Sequence, residues 1–414
     1  MSPPAPRFFP HLYVAFAAGY VLSYFYRNVN AVISPELTRE LSLSPGALGL
    51  MTAVYFVAFA AMQVPAGMLL DRYGPRRVEP ALLAIASAGA LAFALAGAQA
   101  QLLVARALIG LGVAVCLMAP LKAIAAWYPP ERQASLGGWI MVAGSLGALG
   151  ATTPLEFALR FVSWRAIFVA LSIATCAAAL LIWRRVPDTP PSAREAGLGA
   201  QWAGVRSVFA HPRFWWIAPL AGFGTGTFMA VQGLWSVPWL IEVNGHSRAV
   251  AAQHLLAMGV AMLAGYLALG LFAPRLARRG AHPRHLFGAG FALNMAALAA
   301  ILAELPGTWV WWPLYGLSAT VNILGFTMLN DGFAVELAGR ANTALNLLMI
   351  GGSAAAQWGI GLVVDAARVG LGLGVAGGLK LAFAVALALY ALAYAWFAWG
   401  WRRHAGVARA AAGA

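Results

Sequence analysis

A chain of 414 residues that is 62% hydrophobic and 10% charged, with mean hydropathy +0.76, has too much apolar surface to hide in a water-soluble core. Its apolar stretches run to about 20 residues without period-two alternation, so the chain crosses a bilayer as helices and a barrel is excluded. The net charge of +14 invites a nucleic-acid reading, but about eighteen of the 27 basic residues fall in segments assigned to the cytoplasm and about seven near the other side. That is the positive-inside bias, and attraction to anionic lipid accounts for the charge.

Met1 to Pro10 is short and Pro-rich with one cation, Arg7. It does not read as a cleavable signal sequence, because the apolar segment after it contains Arg27, Asn28 and Asn30. The first predicted helix runs from about His11 to Ile33, where Ser34-Pro35 ends it, and Glu36 to Ser44 reads as an outer loop. Ser44-Pro45 opens a second helix, Gly46 to Leu70. A charged loop follows, then helices over Pro80 to Gly97 and Leu102 to Trp127, a turn at Tyr128-Pro129-Pro130-Glu131-Arg132, and helices over Ala134 to Ala158 and Ala166 to Trp183.

From Arg184 to Arg213 the chain is rich in Arg and carries Pro187, Pro190 and Pro191, which reads as a cytoplasmic linker. Six more helices are predicted: Phe214 to Ile241, Ala249 to Phe272, Leu286 to Leu305, Trp309 to Asn330, Ala341 to Val364 and Gly374 to Trp399. Arg402, Arg403 and Arg409 mark a cytoplasmic tail. The expected organisation is an all-α integral membrane protein of twelve helices: a bundle over 1–183, a linker over 184–213, a second bundle over 214–400 and a tail over 401–414. Both termini lie in the cytoplasm. Cys116 and Cys176 fall inside apolar helices and read as small core residues rather than a disulfide.

The loop after the second helix is Gly67-Met-Leu-Leu-Asp71-Arg72-Tyr-Gly74-Pro-Arg76-Arg77. Its spacing, G-x-x-x-D-R-x-G-x-R-R, resembles the signature loop of the major facilitator superfamily at every defined position. The resemblance implies two six-helix bundles, transport by alternating access, and a gating role for Gly67, Asp71, Arg72, Gly74, Arg76 and Arg77. The alternative for these residues is a charge block that only sets topology. Gly270-Leu-Phe-Ala-Pro274-Arg275-Leu-Ala-Arg278-Arg279 follows the eighth helix as a degraded echo, the expected trace of an internal repeat.

Arg106-Ala-Leu-Ile-Gly110-Leu-Gly112 looks like the family's R-x-x-x-G-x-G pattern, for which proton coupling is implied; an arginine bonded to backbone carbonyls is the competing reading. Gly144-Ser-Leu-Gly147-Ala-Leu-Gly150 permits close helix contact, and the Gly-Pro pair of the exporter motif is missing, which leans toward import. Tyr20, Tyr24 and Arg27 share one face of the first helix, and Tyr-Phe-Tyr-Arg27-Asn-Val-Asn resembles organic-anion and organophosphate carriers of the superfamily, where the arginine binds the solute's charge. A structural pair with Glu156 is the alternative. Lys122 is a second cation in a span, and Glu156, which has Arg160 as a neighbour, is the candidate proton site.

The second half offers uncharged polar groups: Gln232 and Trp235 in the seventh helix, Asn322 in the tenth, and Asn346 and Gln357 in a stripe on the eleventh. With Tyr24, Arg27, Gln63 and Lys122 they make the candidate solute site, against the alternative that they hold helices together. His254-x-x-x-Met258-x-x-x-Met262 presents soft ligands suited to Cu(I) and resembles copper importers of the superfamily, but the matching partner of Met229 is Gly233. The expectation is therefore a secondary transporter of a small organic anion in the inner membrane. It is expected to be a proton-coupled importer and a monomer, with no cofactor, no resident metal, no nucleic-acid partner and no enzymatic activity. Copper, metal or vitamin import and proton-driven drug or metabolite export are the alternatives.

Overall fold

The computed structural model describes residues 9–188, 206–278, 282–330, 333 and 335–412. The Pro-rich N-terminus, most of the predicted linker, and Arg279 of the motif echo lie outside the described residues, as do the side chains of Arg275, Arg278 and the tail arginines. Every regular element among the described residues is helical. Eight are long and apolar enough to cross a membrane. Four further crossings, broken or less apolar, bring the path to twelve.

The chain divides into two compact units, one of Met1–Leu198 with Ser247–Gln253 and one of Gly199–His246 with His254–Ala414. The first contains α1 Phe9–Leu41, α2 Pro45–Tyr73, α3 Pro75–Ala94, α4 Gln99–Gly112, α5 Met118–Trp127, α6 Pro130–Gly150, α7 Thr153–Ala158 and α8 Trp164–Arg185. The second contains α9 Pro212–Ala230, a π turn Val231–Trp235, α10 Ser236–Glu242, most of α11 Arg248–Arg278, α12 Pro283–Leu302, α13 Thr308–Ala319, a 3-10 turn Thr320–Asn322, α14 Ile323–Asn330, α15 Val335–Gly370 and α16 Val375–Ala412.

Helix α1 does not stop at Ser34-Pro35. It runs through to Leu41, so the predicted outer loop is largely helix. Proline supplies no N–H for the carbonyl four residues back, here that of Ala31. The Ser34 hydroxyl donates to that same carbonyl at 3.0 Å, which removes the penalty for continuing. Beyond the break, Glu40 accepts from the Trp164 indole at 2.6 Å and pairs with Arg165, and these hold its carboxyl below the usual carboxylate range.

The predicted fourth helix is interrupted at residues 113–117, and the carbonyls freed there are taken by side chains. Gln63 Nε2 donates to Ala114 O at 3.1 Å, and Ser23 Oγ to Val113 O at 3.5 Å. The predicted fifth helix breaks at Ala151-Thr152, just ahead of Pro154, where the Thr152 hydroxyl donates to Leu149 O. The seventh relaxes into the π turn before Pro238 and the tenth tightens at Thr320–Asn322.

Caps fix the other ends. Ser44 accepts from Ala47 N at 3.2 Å to start α2, and Ser163 accepts from Ala166 N at 3.3 Å to start α8. His211-Pro-Arg and His282-Pro-Arg open α9 and α12 identically, each imidazole Nδ1 accepting from the arginine N–H two residues on. Gly74 sits at φ 75° between α2 and α3, a conformation costly for any residue with a Cβ, and Pro75 starts the next helix at once. The core of the first unit is aromatic where α3 meets α8, with Phe93 stacked on Phe168 at 4.1 Å. In the second unit Trp239 stacks on Phe383 at 4.4 Å.

Candidate functional site

Gly147 of α6 lies so close to the backbone of Val21 on α1 that a Cβ would collide with the Val21 carbonyl. This approach places the Tyr20–Tyr24 pair, whose rings meet edge to face at 5.0 Å, and Arg27 one turn further along α1. The Arg27 guanidinium lies over three rings, Tyr24 at 4.7 Å, Phe59 at 5.2 Å and Phe56 at 6.0 Å. Each face contact of this kind contributes about 0.5–2 kcal/mol, depending on desolvation. The side chain is half-buried, its Nε has no hydrogen-bond partner, and among the described residues no carboxylate pairs with it. Glu156, the alternative partner, is held by Arg160 through two hydrogen bonds of 3.1 and 2.9 Å. The cation is thus oriented by π faces and not neutralised, an arrangement able to receive an anion.

The other predicted residues of the first unit are occupied differently. Gln63 is buried and spends an N–H on the opened carbonyl of Ala114. Lys122 pairs with Asp71 of the charged loop, which draws the second membrane cation to the end of α2. Arg106 is buried, donates to Tyr26 O at 2.9 Å and lies over Phe93 and Tyr55. No acid among the described residues pairs with it. Arg76 bonds Asp188 at 2.9 Å and the Trp183 carbonyl at 3.1 Å, and Arg77 approaches the same aspartate at 3.7 Å. Arg72 lies over Tyr73 at 5.2 Å. Asp188 therefore binds two of the loop's cations and Asp71 binds Lys122 of α5, all within this one unit.

In the second unit, Gln232 reaches the Met262 sulfur at 4.0 Å, Trp235 donates to Gln357 O at 3.1 Å, and Gln357 donates to Met229 O at 3.4 Å. Asn322 accepts from Tyr266 at 3.4 Å, while Asn346 is half-buried on α15. On that helix Asn342 Oδ1, Ser353 Oγ and Gln357 Oε1 are buried without partners, so part of the polar stripe has hydrogen-bonding capacity that the protein leaves unused.

A family model described as Major Facilitator Superfamily matches residues 16–357. The chain belongs to that superfamily. It is similar to the hexuronate transporter of Escherichia coli, 32% identical over 173 residues that span 41% of this chain and 40% of the relative. A probable sulfoacetate transporter of Cupriavidus necator is 24% identical over 304 residues, 70% of each chain. The crystal structure of a bacterial homolog to the human lysosomal transporter Spinster, in an inward-facing and unoccupied conformation, superposes with a TM-score of 0.77. It is 18% identical and covers 95% of this chain and 97% of that one, a likeness of fold alone.

His254 is buried, bonds Thr308 Oγ1 at 3.0 Å and stacks on Trp309 at 3.8 Å, while Met258 packs on Gly316. Among the described residues no group of three His, Cys, Asp or Glu side chains is placed to hold a metal. Two contributors went unrecognised in the sequence. Asp188 falls in what reads as linker. Glu79 falls ahead of the predicted start of the third helix, yet it is fully buried in α3. An acidic residue flanked by Val78 and Pro80 was the available signal.

Proposed function

We propose that this protein is a secondary transporter that carries a small organic anion across the membrane by alternating access, with Arg27 as the anion's principal ligand. The observation that carries the reading is the half-buried Arg27 guanidinium, braced by three aromatic rings and, among the described residues, without a paired carboxylate. A cation deep in a span is costly and persists where it meets a partner or a solute. The relatives' printed solutes, a hexuronate and sulfoacetate, are both organic anions, which supports the same chemistry. Uptake coupled to protons fits an anion moving into a cell whose interior is negative.

The charged loop around Asp71 acts in this reading as a latch, with Lys122 as its internal partner and not a ligand of the solute. Uptake of labelled D-glucuronate into proteoliposomes provides the test. Wild type should accumulate the acid. Arg27→Ala should lose uptake by about a hundredfold while remaining folded, since a buried charge-assisted contact contributes about 3 kcal/mol. Undiminished uptake by that variant would refute the assignment.

A further inference from the structure

Glu79 lies in the second turn of α3 and is completely buried. Neither carboxyl oxygen has a hydrogen-bond partner of normal geometry, the Cys116 thiol being the donor that approaches it, and no lysine or arginine among the described residues pairs with it. The elements around it supply little polarity. From α1, Gly19 presents only its α-carbon, and a Cβ there would stand 2.8 Å from Glu79 Oε1; Ile182 of α8 closes the same corner with methyl groups. The titratable neighbour is the Cys116 thiol, from the turn between α4 and α5.

Charged groups on the neighbouring helices are engaged or distant. Arg27 lies over its three rings, Arg106 is bonded to Tyr26 O, and Lys122 is paired with Asp71. Arg76 is bonded to Asp188, while Arg77, Arg184 and Arg185 are exposed. An ionised carboxylate in such a place has neither water nor a counter-charge, whereas the neutral acid requires neither.

We propose that Glu79 is the proton-binding group of the first unit, neutral in this conformation and giving its proton to water when the transport cycle wets it. Release breaks the acid O–H bond, passes the proton to water and leaves a carboxylate; uptake from the opposite side reverses the step. The turn at residues 113–117 gives the proton's state a way to reach the solute. Cys116 of that turn faces Glu79, while Val113 and Ala114 take hydrogen bonds from Ser23, one turn before Arg27 on α1, and from Gln63 on α2. This placement makes Glu79, and not the Arg160-bound Glu156, the acid available for coupling. The role in coupling rests on the transport reading above; the proton's residence on Glu79 does not.

Infrared spectroscopy of the full-length protein in lipid nanodiscs near neutral pH tests residence directly. Wild type should show the carbonyl band of a protonated carboxylic acid, Glu156→Gln should keep it, and the near-isosteric Glu79→Gln should lose it. A wild type without the band, or a band that survives in Glu79→Gln, overturns the proposal.

In proteoliposomes with D-glucuronate as probe, Glu79→Gln should retain exchange of internal for external glucuronate yet lose about tenfold or more of the accumulation driven by an imposed proton gradient. Accumulation like wild type, or equal loss of exchange and accumulation in a folded variant, overturns the coupling role. If wild type moves no glucuronate, the transport reading fails and the infrared band still decides Glu79.

Discussion

The three cations within predicted spans of the first half, Arg27, Arg106 and Lys122, look alike in the sequence, and the structure separates them by what each one touches. Arg106 is buried, lies over Tyr55 and Phe93 and donates to a backbone carbonyl. Both arginines leave a buried Nε without a partner, and what sets Arg27 apart is its partial exposure. Lys122 reaches Asp71 across 51 positions of chain, a pairing that one-dimensional spacing does not reveal. Depth in the membrane is legible from hydropathy; the partner is not, because it depends on how helices are rotated. The pair is partly exposed, with Asp71 at 43%, so its coupling in a double-mutant cycle of Asp71→Asn and Lys122→Gln should be small but measurable, about 0.2–1 kcal/mol in unfolding free energy. Lys122→Gln should also leave the half-saturating glucuronate concentration unchanged. Strictly additive unfolding energies, or a large rise in that concentration, would return Lys122 to the solute.

At the scale of the element, proline marks breaks in the sequence without showing whether the helix recovers. Pro154 does coincide with an interruption, and Pro238 follows the π turn. Pro35 does not stop α1, because Ser34 satisfies the carbonyl that the proline strands. The start of α3 shows the same limit. Pro75 and Pro80 are both acceptable first-turn residues, and the positive φ of Gly74 selects the earlier one, which draws Glu79 into the helix and into the core. Ser34→Ala should cost about 1 kcal/mol of stability in the native background, the usual price of a buried carbonyl losing its donor. With Pro35→Ala present, the restored N–H takes over that carbonyl and the cost should largely vanish. Equal costs in both backgrounds, measured by thermal or denaturant unfolding in detergent, would show that the hydroxyl has another role.

For the whole molecule, the all-helical membrane fold and the signature loop are readable because they depend on composition and local charge. The internal repeat was faint in the motif echo and is clearer in the breaks: the fourth crossing opens at residues 113–117 and the tenth tightens at Thr320–Asn322, equivalent places in two sets of six. The charge distribution predicts the orientation. Arg72, Arg76 and Arg77 cluster after α2, whereas the segment before α2 carries Arg39 beside Glu36 and Glu40. In a background lacking Cys116 and Cys176, a membrane-impermeant maleimide should label Arg39→Cys in intact cells. It should reach Arg72→Cys only after the membrane is opened. Both positions are exposed, so access to them reports sidedness and not burial. The reverse pattern would place the Asp71 loop outside, where a basic cluster has no topogenic reason to be, and would remove the inner-gate role proposed for it.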